Sequence, residues 1–198
     1  MGRDRAGSVL VELIEDPVPF LADADPKVRR LAVSAAHRMA ADLVPQLSAL
    51  LLADPDPAVR AEAAEVIAAA GNAALPALDA GRDDSDERVV EAVATAYGEI
   101  ADRGAVDWLM EQAEIAESKQ VRESAVAALG AIADQRSRQL LIRLTVDAPP
   151  QVRRRAVVAL TVYDGPDVEA AIRNAAADRN PMVREAAEMV VGRTLDSE

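Results

Sequence analysis

The stretch DPDPAVRAEA, Asp54 to Ala63, decides the fold. Asp56 is a residue whose side chain accepts from the orphan amides of a first helical turn. Pro57 follows at the first helical position, where a missing N–H costs nothing. From Val59 onward, Ala63, Val66, Ile67 and Ala70 fall on one stripe at helical spacing. The strings DADPKVRRLA, DDSDERVVEA, AESKQVRESA, DAPPQVRRRA and DRNPMVREAA superimpose on it without a gap. Their shared valine stands at Val28, Val59, Val89, Val121, Val152 and Val183, a period of about 31 residues.

Each string predicts a helix start. Asp25, Asp86, Ser118 and Asn180 stand at the cap position, and Pro26, Pro150 and Pro181 begin helices as Pro57 does. Repeat five departs: Pro149 holds the cap position, so that start is expected to be less well satisfied. In the fourth repeat Val121, Ala125, Ala128, Leu129 and Ile132 form the inward stripe. A shorter helix precedes each of these, with core leucines at Leu47, Leu78, Leu109 and Leu140. Val44, Leu75, Val106 and Val168 form its next ridge, and Gly71, Gly104 and Gly165 punctuate the turns. No segment alternates like a half-buried strand. The reading is an all-α fold: a right-handed α-solenoid of six two-helix repeats in one domain. The approximate repeats are 1–41, 42–71, 72–102, 103–133, 134–164 and 165–198.

Composition agrees. Of 198 residues, 51% are hydrophobic but only 2% aromatic, so the core is built from Ala, Val, Leu and Ile. Small side chains and strong helix formers favour closely stacked helices. A net charge of −12 argues against nucleic acid, which needs neutralised phosphates, and against an anionic membrane surface. The absence of cysteine excludes disulfides, thiolate catalysis and Cys-ligated metals. No apolar run approaches the roughly 20 residues of a membrane span. The opening MGRDRAGSVLVELIEDP lacks the long apolar stretch and small-residue cleavage site of a signal peptide, which makes a cytoplasmic location the expectation.

The pattern D-x-D-P-x-V-R-x-x-A, intact from Asp54 to Ala63, resembles the HEAT repeat in its short, PBS-lyase HEAT-like form. The resemblance implies first helices on a convex side and second helices on a concave one. It also implies a ladder. Arg29, Arg60, Arg122, Arg153 and Arg184 follow the valine, while Asp23, Asp54, Asp84, Asp147 and Asp178 precede it. In similar arrays each Arg bridges the loop Asp of its own and the adjacent repeat through charge-assisted bonds. Val90 and Ala116 replace ladder residues in repeats three and four, so the ladder should weaken there. This structural role fits these residues better than a row of catalytic carboxylates or an anion track.

Catalytic signals are missing. His37, the one histidine, falls on the solvent side of its helix, and metal or acid–base sites normally want more. HEAT-like di-iron enzymes carry repeated His-Glu pairs, and this chain has none. No nucleophile-elbow or phosphate-loop motif occurs, and Asp83, Asp84 and Asp86 lack the spacing of a calcium loop. No catalytic, cofactor-binding or metal residue is assigned, and the expectation is a protein that is not an enzyme and needs no cofactor.

The solvent side of the second helices offers a different signal. Arg30, Ser34, His37 and Arg38 give a basic end; Glu65, Glu91, Glu99 and Glu123 give an acidic middle. Ala127, Ala131, Val158, Val162 and Met189 then break the amphipathic pattern, flanked by Arg154, Arg155 and Glu185. Contiguous apolar residues on a solvent face mark an interaction site, here for an apolar or helical segment of another protein. Trp108 aligns with Gln46, Ala77, Gln139 and Ala170, a position read as exposed on the convex side, where it either makes partner contacts or covers an inter-repeat gap. The edge Val190-Val191-Gly192-Arg193 has no further helix to cover it, which allows a monomer or a weak dimer through that edge. The expected function is a non-catalytic protein-interaction scaffold. The resemblance implies a second possibility, a chromophore-lyase or maturation-factor subunit that holds a tetrapyrrole or a client protein. A HEAT-like DNA-repair role would require a basic face with aromatics, which the acidic middle opposes.

Overall fold

The computed structural model describes residues 11–195, and among them there are helices and no strand. The chain falls into two compact units, one ending at Ile100 and the other beginning at Ala101. The N-terminal unit contains α1 (Pro26–Ala35), α2 (Val44–Ala53), α3 (Pro57–Ile67), α4 (Leu75–Gly81) and α5 (Glu87–Ile100). Within it α1, α3 and α5, the helices that carry the valines, pack side by side, with α2 against α3 and α4 against α5. The C-terminal unit contains α6 (Val106–Ile115), α7 (Lys119–Ile132), α8 (Arg138–Leu144), α9 (Pro150–Ala159), α10 (Pro166–Ala175) and α11 (Pro181–Leu195). Here α9 packs between α7 and α11, while α6, α8 and α10 back them in turn.

The repeat residues lie where the periodicity puts them. Val59, Val89, Val121, Val152 and Val183 are buried, as are Leu47, Leu78, Leu109 and Leu140. Val28 departs and is only half-buried; the element before it is a five-residue 3-10 helix, Val18–Ala22, with a single buried side chain. Small residues set the helix spacing. A Cβ on Gly130 of α7 would come within 2.8 Å of the Ala159 Cβ on α9. Several second helices tighten at the C-terminal end, as in Leu160–Val162 after α9. Ala133 closes α7 in the left-handed conformation at φ 55°, a cost that glycine avoids.

Asp25, Asp56, Asp86 and Asn180 cap their helices, each accepting from the amide two residues on. Ser118 does not, because its hydroxyl donates to Gln120 Oε1 instead. Pro149 provides no side-chain cap, as its chemistry requires.

The ladder forms with one change of partner. Arg29 Nε and Nη2 donate to both Asp54 carboxylate oxygens, Arg60 does the same to Asp84, and Arg153 to Asp178. In its own repeat each Arg reaches a backbone carbonyl rather than a carboxylate: Asp23 O, Asp54 O and Ala148 O respectively. Arg184 Nη1 likewise donates to the Asp178 carbonyl. The carboxylates are held in place by the amide two residues on, as Asp54 is by Asp56 N and Asp178 by Asn180 N. Burial raises the Asp54 pKa, but the Arg29 guanidinium, the Asp56 amide and nearby positive charge hold it below the ordinary carboxylate range. The Arg60 bond depresses Asp84, and the Arg153 bond depresses Asp178.

One expected rung is absent. Arg122 donates Nε to the Ala113 carbonyl, and Asp147 lies exposed. The reason is local. The residue two beyond Asp147 is Pro149, which has no N–H to fix the carboxylate inward.

Candidate partner-binding face

The face is built on α9, whose sequence Val152-Arg153-Arg154-Arg155 sends three arginines in different directions, about 100° apart. Arg153 is 1% exposed and belongs to the ladder. Arg154 is exposed, and Arg155 is half-buried. Val158, one turn further along the strip of Arg154 and Arg155, is 46% exposed. Val162 is 51% exposed but stands in the terminal 3-10 turn, so it does not continue the α-helical register assumed from sequence. On the adjacent α11, Met189 is 66% exposed, and Glu185 is exposed in the register position of Arg154. On the other neighbour, α7, Ala131 is exposed and Ala127 half-buried. These residues thus come from α9 and the two helices that flank it, α7 and α11. Met182, also exposed on α11, was missed because it precedes the valine.

Arg155 Nε is buried and has no hydrogen-bond partner, the only side-chain nitrogen or oxygen in that state among the described residues. Trp108 departs from its expected position: it is half-buried on α6 and engaged in an interaction. As part of the backing layer of helices, it does not join the face made by α7, α9 and α11.

The N-terminal unit brings acidic residues together. A groove of about 300 Å³ is lined by Arg30, Glu62, Glu65, Arg88, Glu91 and Thr95 over a floor of Ala58, Ala61 and Ala92. Burial, then the like charges of Glu62, Glu99 and Glu91, push the Glu65 carboxyl up. Glu62 was missed from sequence, although its spacing from Glu65 puts both on one side of α3. Glu123 lies on α7 in the other unit. Ser34, His37 and Arg38 are exposed. Val190 and Val191 are half-buried. The Arg193 side chain lies outside the described residues, as does the opening 1–10 on which the signal-peptide reading partly rests. Among the described residues no group of three or more His, Cys, Asp or Glu could hold a metal ion. No helix there is long and apolar enough to cross a membrane.

These helix pairs, their shared valine register and the Arg–Asp rungs define the class: an α-solenoid of two-helix repeats. The profile of HEAT repeats matches residues 14–96 and again 79–161. The chain belongs to the HEAT-repeat family. No curated protein matches it. Among solved structures it is similar to a chain of the complex of CpcE and CpcF of phycocyanin lyase from Nostoc. That match has a TM-score of 0.64 and 21% identity, and covers 75% of this chain and 98% of that one. It is also similar to YIBA_ECOLI, with a TM-score of 0.65 and 18% identity over 93% of this chain and 73% of that one. A designed armadillo repeat protein in complex with the peptide (KR)4 has a TM-score of 0.60 and 18% identity, covering 92% and 98%. These likenesses concern the fold.

Proposed function

We propose that the protein is a non-catalytic interaction scaffold that receives an apolar segment of another protein on the face formed by α7, α9 and α11. The observation that carries this reading is the exposure of Val158, Val162 and Met189 on helices whose other side is fully committed to the core. Each such side chain gains about 25 cal/mol per Å² of apolar surface that a partner covers. The helices beneath are fixed by the Arg153–Asp178 rung and by the tight Gly130–Ala159 approach, so little order is lost on binding.

The test is photo-crosslinking from position 162, followed by mass spectrometry of the captured protein, with and without Val158→Asp. Loss of a defined crosslinked partner, with helical circular dichroism unchanged, is the expected result. The same partner captured in equal yield from the Val158→Asp variant rejects the reading. A visible absorbance band in the purified protein would favour a pigment-holding subunit instead.

A further inference from the structure

We infer that the segment received on this face carries a carboxylate side chain that pairs with Arg155, so that the face reads an acidic residue set among apolar ones. The inference rests on the scaffold reading above and specifies its partner. Arg29, Arg60 and Arg153 each satisfy their guanidinium with a carboxylate and a carbonyl. Arg155 does not: its Nε is buried with no partner. That Nε is closed to solvent and so to any partner on the outer face. The two Nη nitrogens have no acceptor among the described residues and are not buried, and they form the edge that a carboxylate from outside can reach. Its place decides the ligand. Arg155 lies one turn from Val158 on the same strip, and exposed Arg154 adds a second cation beside it. A planar guanidinium favours bidentate binding of a carboxylate. On α11 Glu185 stands in the register position of Arg154, and Ala186 in that of Arg155, which places the partner's acidic residue over α9 rather than α11. The charged residues of α9 are all arginines, with Arg153 taken up by Asp178, while Glu185 and Glu188 lie exposed on α11.

The probe is a phage-displayed library of random 16-residue peptides, panned on the full chain and on Arg155→Met. Wild type is expected to enrich Asp or Glu one helical turn from Leu, Met or Phe. The best synthetic peptide should bind Arg155→Met roughly tenfold more weakly. Replacing its acidic residue by the amide should weaken wild-type binding by a similar factor and leave Arg155→Met unaffected. Equal acidic enrichment on both proteins, or indifference to the amide, overturns the inference while leaving the scaffold reading standing. Peptides that bind Val158→Asp as well as wild type, or no enrichment at all, overturn both. The melting temperature of Arg155→Met should not fall, and a fall would assign Arg155 a role within the chain and refute the pairing.

Discussion

Pro149→Asp should repair the missing ladder rung and stabilise the C-terminal unit. It restores the D-x-D-P string that precedes α3, adds a cap to α9, and returns the amide that Asp147 lacks. A helix cap contributes about 1 kcal/mol. Turning Asp147 inward to meet Arg122 adds charge-assisted bonds of about 1–2 kcal/mol net, since Arg122 already has the Ala113 carbonyl. Losing a proline loosens the unfolded chain and takes back about 0.5–1 kcal/mol. The net gain is therefore about 1–2 kcal/mol. Urea denaturation followed by fluorescence suits the measurement, because the single tryptophan, Trp108, lies in the same unit. The rung is isolated by repeating the substitution with Asp147→Ala, where only the cap component, less the proline effect, should remain. An identical gain with and without Asp147 would refute the rung argument. No gain in either background would refute both parts.

Arg153→Met should cost about 3 kcal/mol, at the low end for breaking a buried pair because Asp178 keeps some solvent contact; Arg122→Met should cost nearer 1 kcal/mol, and urea midpoints compare the two. Gly130→Ala should destabilise by about 1–2 kcal/mol in the same assay despite the better helix former, since the added methyl meets Ala159 Cβ at 2.8 Å and its Cα at 2.9 Å. Asp84 and Asp178 have folded pKa values held below the ordinary range, so their stabilisation is complete above it and disappears as pH falls through the folded values. Melting temperatures taken from neutral to acid pH should record that loss, and Asp178→Asn should flatten its part of the curve. Glu65 has the opposite sign: its raised folded pKa means the ionised form opposes folding above that value, and protonation relieves it. Glu65→Gln should raise the melting temperature slightly at neutral pH, with the difference vanishing below the ordinary glutamate range.

What the sequence made legible was most of what local rules set, Ser118 excepted, whose hydroxyl turns to Gln120 instead of capping its helix. The cap at Asp56, the stripe from Val59 and the leucines of the first helices follow from backbone hydrogen bonding and helical period alone. The open rung was legible in principle, because a proline two residues after Asp147 removes the amide that holds Asp54, Asp84 and Asp178 in their rungs. Val28 and Trp108 were not. Their burial depends on what packs beside them, and the repeat alignment lends Trp108 the exposure of Gln46 and Gln139, which have no comparable ring to bury. The candidate partner-binding residues are a mixed case. Periodicity placed Val158 and Met189 on the solvent side, but it extended α9 through Val162, where the helix has already tightened. The missing partner of Arg155 depends on the packing around a half-buried side chain, which no alignment of single helices contains.

The three arginines of α9 show how one turn of helix serves two ends. Rotation by about 100° per residue puts Arg153 beneath the layer, Arg154 in water and Arg155 between them. Arg153 spends all three of its bonding nitrogens on the chain itself and so fixes α9 relative to the loop before α11. That fixes the position from which Arg154, Arg155 and Val158 project. A lysine at 153 could not hold both Asp178 oxygens and the Ala148 carbonyl in one plane, so it would loosen the very helix whose outer side must stay in register. Under the proposed function, a partner's apolar and acidic groups would have to match spacings set by the buried rung, so that Arg153→Lys should weaken binding of the selected acidic peptide although Arg153 lies beneath the face.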